Sequence, residues 1–174
     1  KYFATSIKNI AYNTNYVVLG ARNGIYILKD SLEVLELNGW NLSICPDEKK
    51  GFYTSSKNGL FYIDSLINLT EIKLEEQSFP DNIKSIVRHE NGQIYFIGVH
   101  RNIYSYHNRK LELFYQRENE EINKIKLFGD SLFVFTNKKV TLISAKNAAT
   151  LISIDENKGL FKNKLHNGIS HPHV

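Results

Sequence analysis

One short phrase recurs four times in this chain: an apolar–aromatic strand, a small turn, then a second strand of the same kind. The copies are Tyr16–Gly20 with Gly24–Leu28, Gly51–Ser55 with Gly59–Asp64, Ile94–Gly98 with Asn102–Tyr106, and Leu132–Thr136 with Lys139–Ile143. The residues that open the second strands, 24, 59, 102 and 139, lie 35, 43 and 37 positions apart. Tyr, Phe, Ile and Val dominate these segments, as strands favour. Asn23-Gly24 and Asn58-Gly59 are strong hairpin signals, because the central residues of the favoured tight turns need positive φ. No longer segment combines a 3.6-residue period with caps at both ends.

Each hairpin is flanked by two further strands. The preceding ones are Ser6–Tyr12, Asn41–Cys45, Ile83–His89 and Ile122–Phe128. They lead into turns at Asn13-Thr14-Asn15, Asp47 to Lys50, Glu90-Asn91-Gly92 and Gly129-Asp130, all built from turn-forming residues. The following ones are Glu33–Leu37, Leu69–Leu74, Leu111–Tyr115 and Leu151–Ile154, of which Glu33–Leu37 and Leu111–Tyr115 alternate apolar and polar residues, as a strand with one wet face does. Repeats near forty residues with four strands apiece predict an all-β fold, a β-propeller of four four-stranded antiparallel blades. The expected blades are 1–38, 39–80, 81–119 and 120–156, with 157–174 as the lead-in to a further blade. Four blades are the fewest a ring usually has. The tail words Lys158-Gly159-Leu160-Phe161 and Gly168-Ile169 favour a larger ring, and the Lys1 start reads as a mature product or an excised piece.

Composition narrows the chemistry. The single cysteine, Cys45, allows neither an internal disulfide nor a Cys-based zinc finger. No apolar run approaches the roughly 20 residues of a membrane-spanning helix. The net charge of +4 is scattered. Glu118, Glu120 and Glu121, and the pairs Lys49-Lys50 and Lys138-Lys139, read as solvated turns. Ten Tyr and ten Phe fall mostly inside the strands, so they are expected to pack between blades rather than to stack on nucleic acid. Asn41-Leu42-Ser43 and Asn68-Leu69-Thr70 match the glycosylation acceptor pattern, which is common by chance in a chain rich in Asn.

No catalytic set stands out. There is no phosphate-binding loop and no nucleophile elbow. Cys45 with His89 could nominally pair a nucleophile with a base, but Cys45 before Pro46 reads as a small core residue. Glu75-Glu76 and Glu120-Glu121 read as solvated loop carboxylates. His171 and His173, with His166 as a third ligand, form the sharpest metal candidate, yet they sit in a tail and no metal or other cofactor is expected. What remains is the turns of the four hairpins: Arg22 and Asn23, Lys57 and Asn58, His100 and Arg101, Asn137 and Lys138. In a propeller these turns gather at one end of the axis. Together they offer cations, amides and an imidazole to a polyhydroxylated or acidic ligand. The plainer explanation is that wet turns need Asn and tolerate Lys and Arg.

The hairpin words Tyr16–Leu28, Tyr53–Asp64 and Glu90–Tyr106, and the tail Gly168–Val174, resemble the repeat of the two-component regulator propellers. The chain departs from that pattern in lacking Trp in the first hairpin strand, and in carrying Lys139 where Gly is usual. The resemblance implies the periplasmic or extracellular sensor of a hybrid histidine kinase. Its ligand would be a glycan or its breakdown product, its homodimer would form through the parent protein, and its membrane attachment would lie in flanking segments. Two other readings stand beside it: an intracellular propeller that docks proteins, and a propeller hydrolase or lyase. The latter is disfavoured by the lack of acids at equivalent blade positions.

Overall fold

The computed structural model describes residues 7–21, 24–35, 43–47, 51–56, 59–74, 78–98, 101–117 and 120–155. Within them, sixteen strands form four antiparallel sheets, each a four-stranded meander. The first sheet is β1 (Ile7–Tyr12), β2 (Val17–Ala21), β3 (Gly24–Leu28) and β4 (Leu32–Leu35). The second is β5 (Ser43–Asp47), β6 (Gly51–Ser56), β7 (Gly59–Ile63) and β8 (Leu69–Glu71). The third is β9 (Lys84–Arg88), β10 (Ile94–Ile97), β11 (Ile103–His107) and β12 (Lys110–Tyr115). The fourth is β13 (Ile122–Phe128), β14 (Ser131–Thr136), β15 (Lys139–Ser144) and β16 (Thr150–Asp155). The four recurring hairpins are thus the middle pairs of four blades.

Asp47 corrects the expected turn from Asp47 to Lys50. It is the last residue of β5, paired with Gly51 and buried. Its carboxylate accepts a hydrogen bond from the Tyr62 hydroxyl at 2.9 Å, and Arg88 Nε of the next blade lies 3.3 Å away. Gly51 makes this possible. A Cβ there would stand 2.2 Å from the Tyr62 hydroxyl oxygen and 2.5 Å from the Ile63 carbonyl oxygen.

The core is divided among three seams between consecutive sheets. Val18, Ile25 and Ile27 of the first sheet meet Phe52 and Ile63 of the second. Cys45 and Leu60 meet Ile86, Ile94 and Phe96. Tyr95, Ile97 and Ile103 meet Ile125, Leu132, Val134 and Ile143. Each fully buried large side chain contributes about 1.5–3 kcal/mol of hydrophobic stabilisation. Aromatic packing is not confined to the seams: Tyr16 meets Phe52 across one at 5.1 Å between ring centroids, whereas Tyr53 and Tyr62 pair within the second sheet at 5.0 Å.

The two outer faces of the stack are apolar. On the first sheet, cross-strand pairing lines up Ile10, Leu19, Tyr26 and Val34 in one row and Tyr12, Val17, Leu28 and Leu32 in another. Of these, Ile10 is 65% exposed, Tyr12 74% and Val34 51%. On the fourth sheet, half-buried Phe133 and Leu142 form a row with exposed Ile152 and, at its inner edge, Lys126, and exposed Phe128 stands nearby. Were the four blades a closed ring, these faces would cover each other. They are the ends of an arc.

Candidate ligand site in the axial cleft

The innermost strands β1, β5, β9 and β13 lie side by side in chain order, and all four contribute to the wall of a cleft of about 600 Å³ on the inside of the arc. Three of them are irregular at the same level. Register shifts fall between Ile7 and Asn9, between Lys84 and Val87, and between Ile122 and Lys124. The residues left without a cross-strand partner include Lys8, Ser85 and Asn123, and all three line the cleft. Bulges re-aim side chains and concentrate beside binding and active sites. Ser85 is held at φ +52°, a conformation uncommon for a residue other than glycine.

The bulge at Ser85 has a structural role as well. Its hydroxyl accepts a hydrogen bond from Ile125 N at 2.9 Å and donates one to Ile125 O at 3.1 Å, tying β9 to β13. One blade earlier the Ser43 hydroxyl accepts from Ile86 N at 2.9 Å, tying β5 to β9. These bonds satisfy inner-edge backbone groups that the meander leaves without a strand partner.

Lys8, Lys84, Lys124 and Lys126 line the cleft, with Asn9 and Asn123 between them and no carboxylate on the wall. A second cavity of about 630 Å³ shares Lys84 and Asn123 and extends to Asp81 and Arg101. Cross-strand pairing explains the junction: each innermost strand starts beside the end of the second strand, as in Ile7 with Ala21 and Ile122 with Thr136. The start of each innermost strand therefore shares an end of the arc with the hairpin turns.

Of the turn residues expected to bind ligand, Arg22, Asn23, Lys57, Asn58 and His100 lie outside the described residues, as do His166, His171 and His173. Arg101 lines the second cavity, where its Nη1 donates to Asn123 Oδ1 at 2.9 Å and pairs with Glu121. Asn137 and Lys138 are exposed, and the Lys138 N–H donates to Thr136 Oγ1 at 3.2 Å. The lysines of the innermost strands are not among the expected site residues. A signal for them exists in the words Lys8-Asn9-Ile10, Lys84-Ser85-Ile86 and Asn123-Lys124-Ile125, which recur with the blades but are masked by a polar composition common to surface strands.

Two expected solvated charges are structural instead. Glu120 accepts from Arg117 Nη1 at 3.0 Å and lies 2.8 Å from Lys139 Nζ, with its side chain only 15% exposed. Burial pushes its carboxyl up, but the Lys139 hydrogen bond and the Arg117 charge outweigh this and hold it below the ordinary value. Lys139, which replaces the usual Gly, thus has a partner across the hairpin turn's base. Cys45 is buried in the second seam, where burial pushes its thiol up to about 11. His89 does not approach it in a catalytic role: its Nε2 lies 2.9 Å from Asp130 Oδ1 of the fourth sheet, and Lys146 holds the other oxygen at 2.7 Å. Those contacts hold the Asp130 carboxyl below the usual range, the Lys146 hydrogen bond contributing most.

No protein-family model matches the sequence, and no curated protein matches it. Solved structures do. Virginiamycin B lyase from Staphylococcus aureus superposes with a TM-score of 0.68 at 14% identity, over 87% of this chain and 55% of the lyase. A Bacteroides protein, described as the extracellular domain of a hybrid two-component system from B. thetaiotaomicron, superposes with a TM-score of 0.67 at 19% identity, over 89% of this chain and 23% of that one. YCF48, solved with a D1 peptide, superposes with a TM-score of 0.65 at 10% identity, over 88% of this chain and 54% of its own. The chain therefore spans about half the length of the lyase and of YCF48, and about a quarter of the two-component protein. At these identities the likeness concerns the fold: this chain is an arc of four β-propeller blades.

Proposed function

We propose that this arc is a non-catalytic, ligand-sensing segment of a larger propeller on the outer face of a bacterial membrane, serving a two-component sensor kinase and responding to a saccharide. The carrying observation is the axial cleft, whose wall is built from Lys, Asn, Ser and Ile at strand bulges. Amides and ammonium groups are well suited to hydroxyl-rich ligands. The hairpin words that resemble the two-component regulator propellers, and the likeness to the extracellular domain of a hybrid two-component system, support the same reading.

A protein-docking scaffold is the second reading, favoured by the apolar faces at both ends of the arc. A thermal-shift screen of neutral and acidic saccharides separates the two. A saccharide that binds only the folded state adds roughly 2.7 kcal/mol of stability at a hundredfold excess over Kd, and so raises Tm. A flat response across the whole screen would sink the sensor reading.

A further inference from the structure

We infer that the axial cleft selects an acidic saccharide, one carrying carboxylate or sulfate groups. This rests on the saccharide-sensing reading of the same site and adds the charge of the ligand. Five cations elsewhere among the described residues have a carboxylate partner. Arg88 lies against Asp47, Arg101 against Glu121, Arg117 and Lys139 against Glu120, and Lys146 against Asp130. Lys8, Lys84, Lys124 and Lys126 come from three different blades, line one concavity and have no ion-pair partner among the described residues. Lys29, Lys73, Lys110 and Lys138 lack such a partner too, so what distinguishes the cleft is that it gathers four lysines.

A wall with four ammonium groups and no carboxylate sets up a positive potential inside a recess, where low-dielectric walls focus the field. The bulges at Lys8 and Asn123 strengthen the case, because each gives up a ladder position to a side chain that lines the cleft. Lysine is a point charge without arginine's planar fork, so the wall recognises the charge of an oxyanion more than its shape. Asn9 and Asn123 can each donate to and accept from sugar hydroxyls. Asp81 lines the adjoining cavity and not the cleft wall.

The test is calorimetric titration of the whole chain with three ligands on one scaffold: galactobiose, digalacturonate, and galactobiose bearing two sulfates. Binding of either acidic ligand at least tenfold tighter than galactobiose is expected, and which one binds names the anion. That preference should shrink as ionic strength rises from about 0.05 to 0.5 M, because the Debye length falls several-fold. Lys84→Gln and Lys124→Gln should each weaken the acidic ligand by about fivefold or more, as the loss of a charge-assisted hydrogen bond does. Lys29→Gln, in the exposed turn between β3 and β4, should change nothing. Equal affinity for galactobiose and both acids would overturn the charge assignment and leave the sensor reading standing. Failure of both acidic ligands to bind would likewise overturn the charge assignment, while the sensor reading falls only with a flat saccharide screen.

Discussion

Arg88 is the strongest test of what holds one blade to the next. It projects from β9 to Asp47 at the end of β5, and the two side chains are only 9% and 7% exposed. Asp47 also accepts the Tyr62 hydroxyl, and Arg88 hydrogen-bonds Tyr53 on the same sheet. Replacing Arg88 with Met keeps most of the volume but leaves a carboxylate in the second seam without its countercharge. Removing one member of a buried ion pair costs about 3–5 kcal/mol, because the remaining ion has lost both water and partner. For a chain of this length that amounts to a fall in Tm of roughly 6–20 °C. The assay is thermal and urea unfolding of Arg88→Met, Asp47→Leu and the double variant. Removing both charges should recover most of the loss, since apolar replacement of a buried pair is often neutral. The recovery should become more complete when Tyr62→Phe removes the hydroxyl that has lost its acceptor. A fall of under about 1 kcal/mol in Arg88→Met, with no gain in the double variant, would refute the reasoning, since exposed pairs behave that way.

Gly51→Ala places a Cβ against the Tyr62 hydroxyl and the Ile63 carbonyl oxygen, so it should cost about 1–3 kcal/mol in urea unfolding, the usual penalty for overpacking. Glu120 has a lowered pKa when folded, so the stability it confers is present above the ordinary carboxylate value of 4.5 and is lost as pH falls through the depressed value. Glu120→Gln should therefore flatten the acid limb of the stability profile below that value. If the two limbs are parallel, the carboxylate is not paired in solution. Cys45 is buried with its thiol at about 11, so iodoacetamide at pH 8 should modify it far more slowly in the native protein than in urea. Equal rates would mean the second seam opens freely.

The architecture was largely legible because each blade repeats a local signal. Asn-Gly turns and runs such as Ile25-Tyr26-Ile27 place a hairpin without reference to the rest of the chain, and the spacing then fixes how many there are. The site was less legible. The hairpin turns attract attention because Arg, Asn and His are chemically suggestive, whereas Lys8, Lys84 and Lys124 sit in strands that look merely amphipathic. What distinguishes those lysines is convergence around an axis, and that depends on how four blades stack. Bulges are also invisible in one sequence, because Ser85 at φ +52° has no local residue preference that demands it. Asp47 was misplaced for a related reason. Next to Pro46 and Glu48 it looks like part of a polar turn, whereas its pairing with Gly51 and its bond from the Tyr62 hydroxyl depend on residues further along the chain.

The division of the core into three seams bears on how the protein comes apart. Each blade is packed chiefly against its neighbours in sequence, so stability along the arc is a chain of adjacent couplings, as in repeat proteins. A lesion at one seam need not spread. Weakening the contact between the second and third blades should produce a molecule that opens in the middle like a book, with the first and second blades still paired and the third and fourth still stitched through Ser85. In Arg88→Met, amide exchange should then accelerate first along β5 and β9, ahead of the outer seams.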